Sequence, residues 1–166
     1  MAGQLPSLAP KKMNWHIALI YFILWLMAFM DLVNGLIGVF GVQFGPTADG
    51  GIGMALHIYP GPARIYILDG VFALAMCIFI VFVRFQLAGM KRRAPMLLMV
   101  MFALNIVESL AFVGALYLTS PELVAQYDAN TGTSVLVSGL SSALLTAVVA
   151  ALTYIYYLRR KEMFNK

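Results

Sequence analysis

The sequence predicts an all-α integral membrane protein, a bundle of four transmembrane helices. Of its 166 residues, 62% are hydrophobic and only 11% are charged, whereas a soluble domain is about half apolar and a quarter charged. Four apolar runs, each of roughly 20 residues or more, are long enough to cross a hydrocarbon core of ~30 Å. Such continuous runs favour helices over the short alternating strands of a barrel.

The four spans are expected at residues 15–41, 64–87, 95–118 and 135–158, in up-down order, and together they form one transmembrane domain, 15–158. Residues 1–14 then form an N-terminal tail, and residues 159–166 form a basic C-terminal tail. The first run is too long for the apolar core of a signal peptide and lacks a small-residue cleavage site, so we expect it to be retained. Cys77 lies within the second span, where we expect it to act as a small buried hydrophobe.

Positive charge is distributed asymmetrically between the predicted loops. Ten of the eleven Lys and Arg residues fall on one side, namely Lys11, Lys12, Arg84, Lys91, Arg92, Arg93, Arg159, Arg160, Lys161 and Lys166. Because cytoplasmic loops carry the excess of Lys and Arg, both termini are predicted to be cytoplasmic. The net charge of +4 then reflects topology, and we expect no binding of nucleic acid. Five of these cations, Lys91, Arg92, Arg93, Arg159 and Arg160, form what we call the basic edge, which can also contact anionic lipid headgroups.

The loops between spans differ in composition. The link between spans two and three is short, and Pro95 stands at the start of span three, where its missing N–H costs nothing. The opposite links are longer and rich in Gly and Pro, and in the second of them Ser120 and Pro121 predict the start of a short helix. The two halves share this plan, which fits either an internal duplication or the ordinary form of a membrane hairpin.

Polar residues occur inside the predicted spans. Asp31 and Asn34 lie three positions apart in span one, Asn105 and Glu108 repeat the spacing in span three, and Asp69 lies in span two. The i to i+3 spacing puts each pair on one helix face. An ionised acid near a bilayer centre costs at least about 2.5 kcal/mol, so we expect these residues to form a polar seam inside the bundle.

Charge partners for the seam are scarce. Arg64, the lone cation on the outer side, is the possible partner of Asp69 or Asp31. Glu108 is too deep for Arg64, so we expect it to be protonated at neutral pH and hydrogen-bonded to a facing span. The seam has two interpretations: interhelical hydrogen bonds that set the register of the helices, or a proton or cation site carried by Asp31 and Glu108.

Small residues predict close helix packing on spans one and four. Gly35 and Gly38 on span one, and Gly139 on span four, allow neighbouring helices to approach. Spans one and four are therefore expected either to contact each other or to have one of them face another subunit. No histidine cluster, cysteine pair or nucleophile with a base is present, so we expect no metal, no cofactor and no enzymatic activity. His16 and His57 are interpreted as lone interfacial residues.

Two segments, "VRFQLAGMKRRAPMLLMVMFALNIVESL" and "YIYYLRRKEMFNK", are similar to a loose group of small bacterial four-helix membrane proteins. Members typically carry a tryptophan before span one, here Trp15, and end with an aromatic run, basic residues and a phenylalanine, here Tyr154–Tyr157, Arg159, Arg160 and Phe164. The resemblance implies a bacterial inner membrane location and no particular activity. We expect a protein that acts by association, as a homo-oligomer or an accessory subunit of a membrane complex. The alternative is an oligomeric proton- or ion-coupled transporter or channel.

Overall fold

The computed structural model describes residues 14–40, 60–132, 134–160 and 164, and the regular structure in these residues is entirely helical. The described residues form five helices in chain order: α1 (Asn14–Phe40), α2 (Pro60–Ala88), α3 (Ala94–Thr119), α4 (Pro121–Thr131) and α5 (Val135–Leu158). Helices α1, α3, α5 and the Ala63–Ala88 part of α2 are long and apolar enough to cross a membrane. The all-α class and the four apolar helices of a multi-pass membrane protein are therefore confirmed.

Some predictions concern residues outside the described ranges. These are most of the glycine- and proline-rich link between spans one and two, with His57, and the cations Lys11, Lys12, Lys161 and Lys166.

The helix ends on one side of the bundle follow local sequence signals. Helix α3 ends at Thr119, and after Ser120 the proline at 121 opens α4, so the short helix predicted here is present. Gly132 terminates α4 in the left-handed conformation, with φ of 67°, which glycine adopts without steric cost. The carboxylate of Asp128 then accepts a hydrogen bond of 2.8 Å from the Val135 N–H. This bond satisfies one of the unpaired amides at the start of α5.

Helix α1 contains an irregular π-helical turn at Leu19–Ile23. Such a turn displaces backbone carbonyls from the ordinary α-helical pattern. Here Arg84 of α2 donates its Nε–H to the Ile20 carbonyl at 3.4 Å. The same guanidinium lies over the rings of Trp25, at 4.9 Å, and Phe85, at 4.8 Å. Arg84 therefore stabilises the π turn from the neighbouring helix, a role that charge distribution alone did not predict.

The buried core lies towards the end of the bundle that carries the turn between α2 and α3, residues 89–93. The core comprises Leu19, Ile20, Leu24, Ala28, Met76, Ile80, Val83, Leu87, Ala94, Leu98, Met101, Phe102, Tyr157 and Phe164. Helix α2 packs against α1 and α3, and α5 packs against α3. In the described ranges, the contacts recorded between α1 and α5 lie at the start of α1 and the end of α5. The first and last spans are therefore joined at this end of the bundle.

The closest helix approach joins α1 to α2. A Cβ atom added at Gly38 would lie 2.7 Å from the Cα of Gly70 and 2.7 Å from the Tyr66 carbonyl oxygen, so the two backbones are in direct contact. Gly35 faces Leu74 of α2, and Gly139 of α5 lies against Val113 of α3. The glycines of α1 thus face α2, and the glycine of α5 faces α3, so these small residues do not bring α1 and α5 together. Where α1 crosses α2, the second helix contributes a glycine of its own, Gly70.

We expect Gly38→Ala to lower the free energy of unfolding by about 1–3 kcal/mol, because the added methyl group forces the α1 and α2 backbones apart. The measurement is a denaturant titration in detergent followed by circular dichroism. Gly114→Ala in α3 is the matched control, since its Cβ would meet nothing within 4 Å, and the better helix propensity of alanine should leave stability unchanged or raise it. Equal losses in both variants would contradict the close crossing.

Candidate functional site

Three carboxyl groups from three different helices come together in the structure. Glu108 of α3 lies within hydrogen-bonding range of Asp69 of α2, and Asp31 of α1 is close enough to act electrostatically on both. Two carboxyl groups can share a hydrogen bond when one of them is protonated, because an ionised carboxylate can only accept. We call Asp31, Asp69 and Glu108 the carboxyl cluster.

The carboxyl cluster lies deep along the helices. Glu108 is about 21 Å from the start of α3 and about 17 Å from its end, at 1.5 Å of rise per residue, and therefore near the middle of the span. All three acids are half-buried within the chain. The Oδ2 atom of Asp31 is itself buried and has no hydrogen-bond partner among the described residues. The half-burial of all three side chains means that the described residues enclose the cluster only in part.

The two asparagines of the predicted seam lie outside the carboxyl cluster. Asn105 donates its Nδ2–H to the Met101 carbonyl of its own helix at 3.2 Å. Asn34 is exposed. The face of α1 that meets α2 runs through Asp31, Gly35 and Gly38, and Asn34 is rotated about 60° from Asp31 around the helix axis, at the edge of that face. The i to i+3 spacing was thus too coarse to predict which polar side chains meet.

Arg64, the predicted outer partner, is exposed near the start of α2. It stands five positions before Asp69, which places it about 140° around the helix from that acid. The helix geometry therefore directs Arg64 away from the face that carries the carboxyl cluster.

A second polar site joins α1 to α5 at the end of the bundle nearest residues 89–93. His16 is only 4% exposed, and its Nδ1 atom lies 2.8 Å from the Tyr157 hydroxyl in a buried hydrogen bond. The His16 backbone N–H also donates to the Tyr156 hydroxyl at 3.4 Å. The rings of His16 and Tyr157 each meet Phe164 edge-on, with centroids 6.0 and 5.3 Å away.

The interpretation of His16 as a lone interfacial residue is therefore wrong. The up-down order of the spans could have indicated its partners. It puts the start of span one and the end of span four on the same side of the membrane, where their polar and aromatic residues lie at the same depth. By composition alone, the run Tyr154–Tyr157 is typical of an aromatic anchor at the membrane interface. In the structure its last two tyrosines bind the first turns of α1.

The predicted basic edge surrounds this second site. Lys91, Arg92 and Arg93 are exposed in the turn before α3, and Arg159 is exposed just after α5. Arg160 lies with its guanidinium 3.9 Å from the centre of the Tyr156 ring, and its Nη1–H donates to the Tyr156 carbonyl at 3.4 Å. The cations of two separate segments thus gather at one end of the bundle.

Within the part of the chain that the structure describes, no three His, Cys, Asp or Glu side chains are arranged to hold a metal ion. Comparison with known proteins found no matching family model, no matching curated protein and no matching solved structure. The functional assignment therefore depends on the geometry of this chain.

We expect Glu108→Gln to change the free energy of unfolding by less than about 1 kcal/mol, because the amide can donate the same hydrogen bond to Asp69. Glu108→Leu should lower it by about 1–3 kcal/mol, since Asp69 then loses a partner in a half-buried position. Both variants are compared by denaturant titration in detergent. A glutamine variant as unstable as the leucine variant would show that the bond to Asp69 is not what Glu108 contributes.

We expect Tyr157→Phe to lower the free energy of unfolding by about 1–3 kcal/mol, because it leaves the buried His16 Nδ1 without its partner. The control is Tyr154→Phe, at a side chain that is 50% exposed, where we expect a change below about 0.5 kcal/mol. Spin labels at the start of α1 and the end of α5 would report the accompanying separation. An unchanged distance and stability in Tyr157→Phe would rule out a bridging role for this hydrogen bond.

Proposed function

We propose that this is a bacterial inner-membrane protein that acts by association, as a homo-oligomer or as a small accessory subunit of a membrane complex. The observation that carries the proposal is the incomplete enclosure of Glu108, a half-buried acid near the middle of a membrane-spanning helix. Polar groups at this depth are expensive to expose to lipid and almost always face protein or a water-filled cavity. A second polypeptide would complete the enclosure.

We place such a polypeptide against α1, on the side where Asn34 is exposed. Helices α1 and α5 are joined near His16 and Tyr157, while Asn34 is exposed farther along α1. An amide within a span is stabilised by a hydrogen bond to a neighbouring helix. A polypeptide there would therefore supply a partner for Asn34, which lies one helical turn from Asp31 of the carboxyl cluster. In this role the protein is not an enzyme.

The proposed arrangement in the membrane has the four spans crossing in alternating directions, with both termini cytoplasmic. Contacts between distant sequence positions support the alternation: Ile20 meets Arg84 whereas Gly38 meets Gly70. The gathering of Lys91, Arg92, Arg93, Arg159 and Arg160 at one end supports the orientation, because Lys and Arg are retained on the cytoplasmic side.

The native mass of the protein, extracted in a mild detergent from its own membrane, tests the proposal. Co-extraction with a different protein in fixed stoichiometry would identify an accessory subunit. A defined multiple of the 18.2 kDa chain would identify a homo-oligomer. A monomer that remains stable and free of other proteins would contradict association in either form.

One observation favours a second candidate, a proton- or ion-coupled transporter assembled from several copies. It is the hydrogen bond between the carboxyl groups of Glu108 and Asp69, with Asp31 nearby on a third helix, because acids that share a proton inside a membrane are typical of proton relays. The test is proton flux into liposomes containing the purified protein, with Glu108→Gln beside the wild type. Flux that is lost in Glu108→Gln supports transport, and equal background flux in both excludes it.

For association, we expect Asn34→Leu to shift the native mass toward the single chain, because the hydrogen bond that Asn34 makes to the partner is lost. Ser141→Leu on α5 is the matched control. Ser141 is also an exposed polar residue, but its hydroxyl already donates to the Ser138 carbonyl of its own helix at 2.9 Å. An Asn34→Leu protein that keeps the wild-type mass would place the interface elsewhere.

A further inference from the structure

A cleft of about 780 Å³ opens at the end of the bundle that carries the basic edge. Arg92 and the first turns of α3, with Met96 and Met99, form one wall, and Tyr154 at the end of α5 and Phe164 form the other. This volume is in the range of sites that hold small ligands, about 300–1,000 Å³. None of the described residues that line the cleft belongs to the carboxyl cluster, so the two sites are separate.

Among the described residues that line the cleft, Arg92 is the one cation, none is acidic, and the others are chiefly apolar and aromatic. Met96 and Leu158 contribute apolar surface, and Met96 is 70% exposed. An anionic group therefore finds charge complementarity at Arg92, while an attached hydrocarbon chain finds an apolar wall that continues along the outside of the bundle. Basic pockets between membrane helices are known to bind acidic lipid headgroups.

The start of α3 supplies a further donor at the same place. In the first turn, the Ala94 N–H is bonded to the Lys91 carbonyl at 2.9 Å and the Leu97 N–H to the Arg93 carbonyl at 3.0 Å. Pro95 has no N–H. Met96, which lines the cleft, therefore carries a first-turn amide that the helix itself leaves unpaired. Amides at a helix start favour anions, and this one reinforces the charge of Arg92.

We propose that this cleft is a binding site for one anionic phospholipid, with the phosphate at Arg92 and the start of α3 and an acyl chain along Met96, Met99 and Leu158. The position of the cleft at the ends of membrane-crossing helices matches the level at which lipid phosphates lie.

Native mass spectrometry of the full-length protein in a mild non-ionic detergent tests the site. Dioleoyl phosphatidylglycerol and dioleoyl phosphatidylcholine are added in parallel, and the occupancy of the first bound lipid is compared. We expect phosphatidylglycerol to bind with about fivefold higher occupancy, the effect of one added cation contact. Arg92→Gln should remove this preference. Lys91→Gln, an equally exposed cation in the same turn that does not line the cleft, should retain it.

A second variant and a competitor separate this site from simpler explanations. Met96→Asn should lower the occupancy of both lipids, because it places an amide in the acyl wall. Excess inorganic phosphate should not displace the lipid. Equal loss of preference in Arg92→Gln and Lys91→Gln would overturn the proposal in favour of diffuse charge. Displacement by phosphate alone would overturn the role of the acyl chain, and absence of any preference in the wild type would overturn the site itself.

Discussion

The absence of water at membrane depth is the constraint on which the rest of this structure depends. Backbone groups meet it by forming helices. Polar side chains meet it by bonding to backbone carbonyls: Arg84 donates to Ile20 in the π turn, and Asn105 donates to Met101 of its own helix. The acids meet the same constraint by approaching one another. In water, two ionised carboxylates would repel each other and would not approach as closely as Glu108 and Asp69 do here.

The two ends of the bundle are held together by different interactions. Near residues 89–93 the helices are joined by most of the buried core and by the hydrogen bond between His16 and Tyr157. Towards the other end, α1 and α2 are held by backbone contact at Gly38 and Gly70. The carboxyl cluster lies between these regions.

Tyr157 links the features of the closed end. Its hydroxyl binds His16 of α1, its ring packs on Phe164, and it borders the cleft that also contains Arg92 and Met96. A ligand in that cleft would therefore contact the residue that joins the first and last spans. The basic residues around it belong to two segments far apart in sequence, so counting charges along the chain could not show that they meet.

The sequence by itself determined the four apolar helices, the class of membrane protein and the presence, within the spans, of acids that need hydrogen-bond partners. Apolar run length is a local property, and so are the effects of Pro95, Ser120 and Gly132 on helix ends, so these features could be predicted residue by residue. Only the tertiary structure decided which side chains meet. The helical period places Asp31 and Asn34 on roughly the same face, but the rotation of α1 against α2 turns Asp31 inward and leaves Asn34 exposed. The pairing of Glu108 with Asp69 and of His16 with Tyr157 depends on which helices become neighbours, and that choice follows from packing over the whole chain.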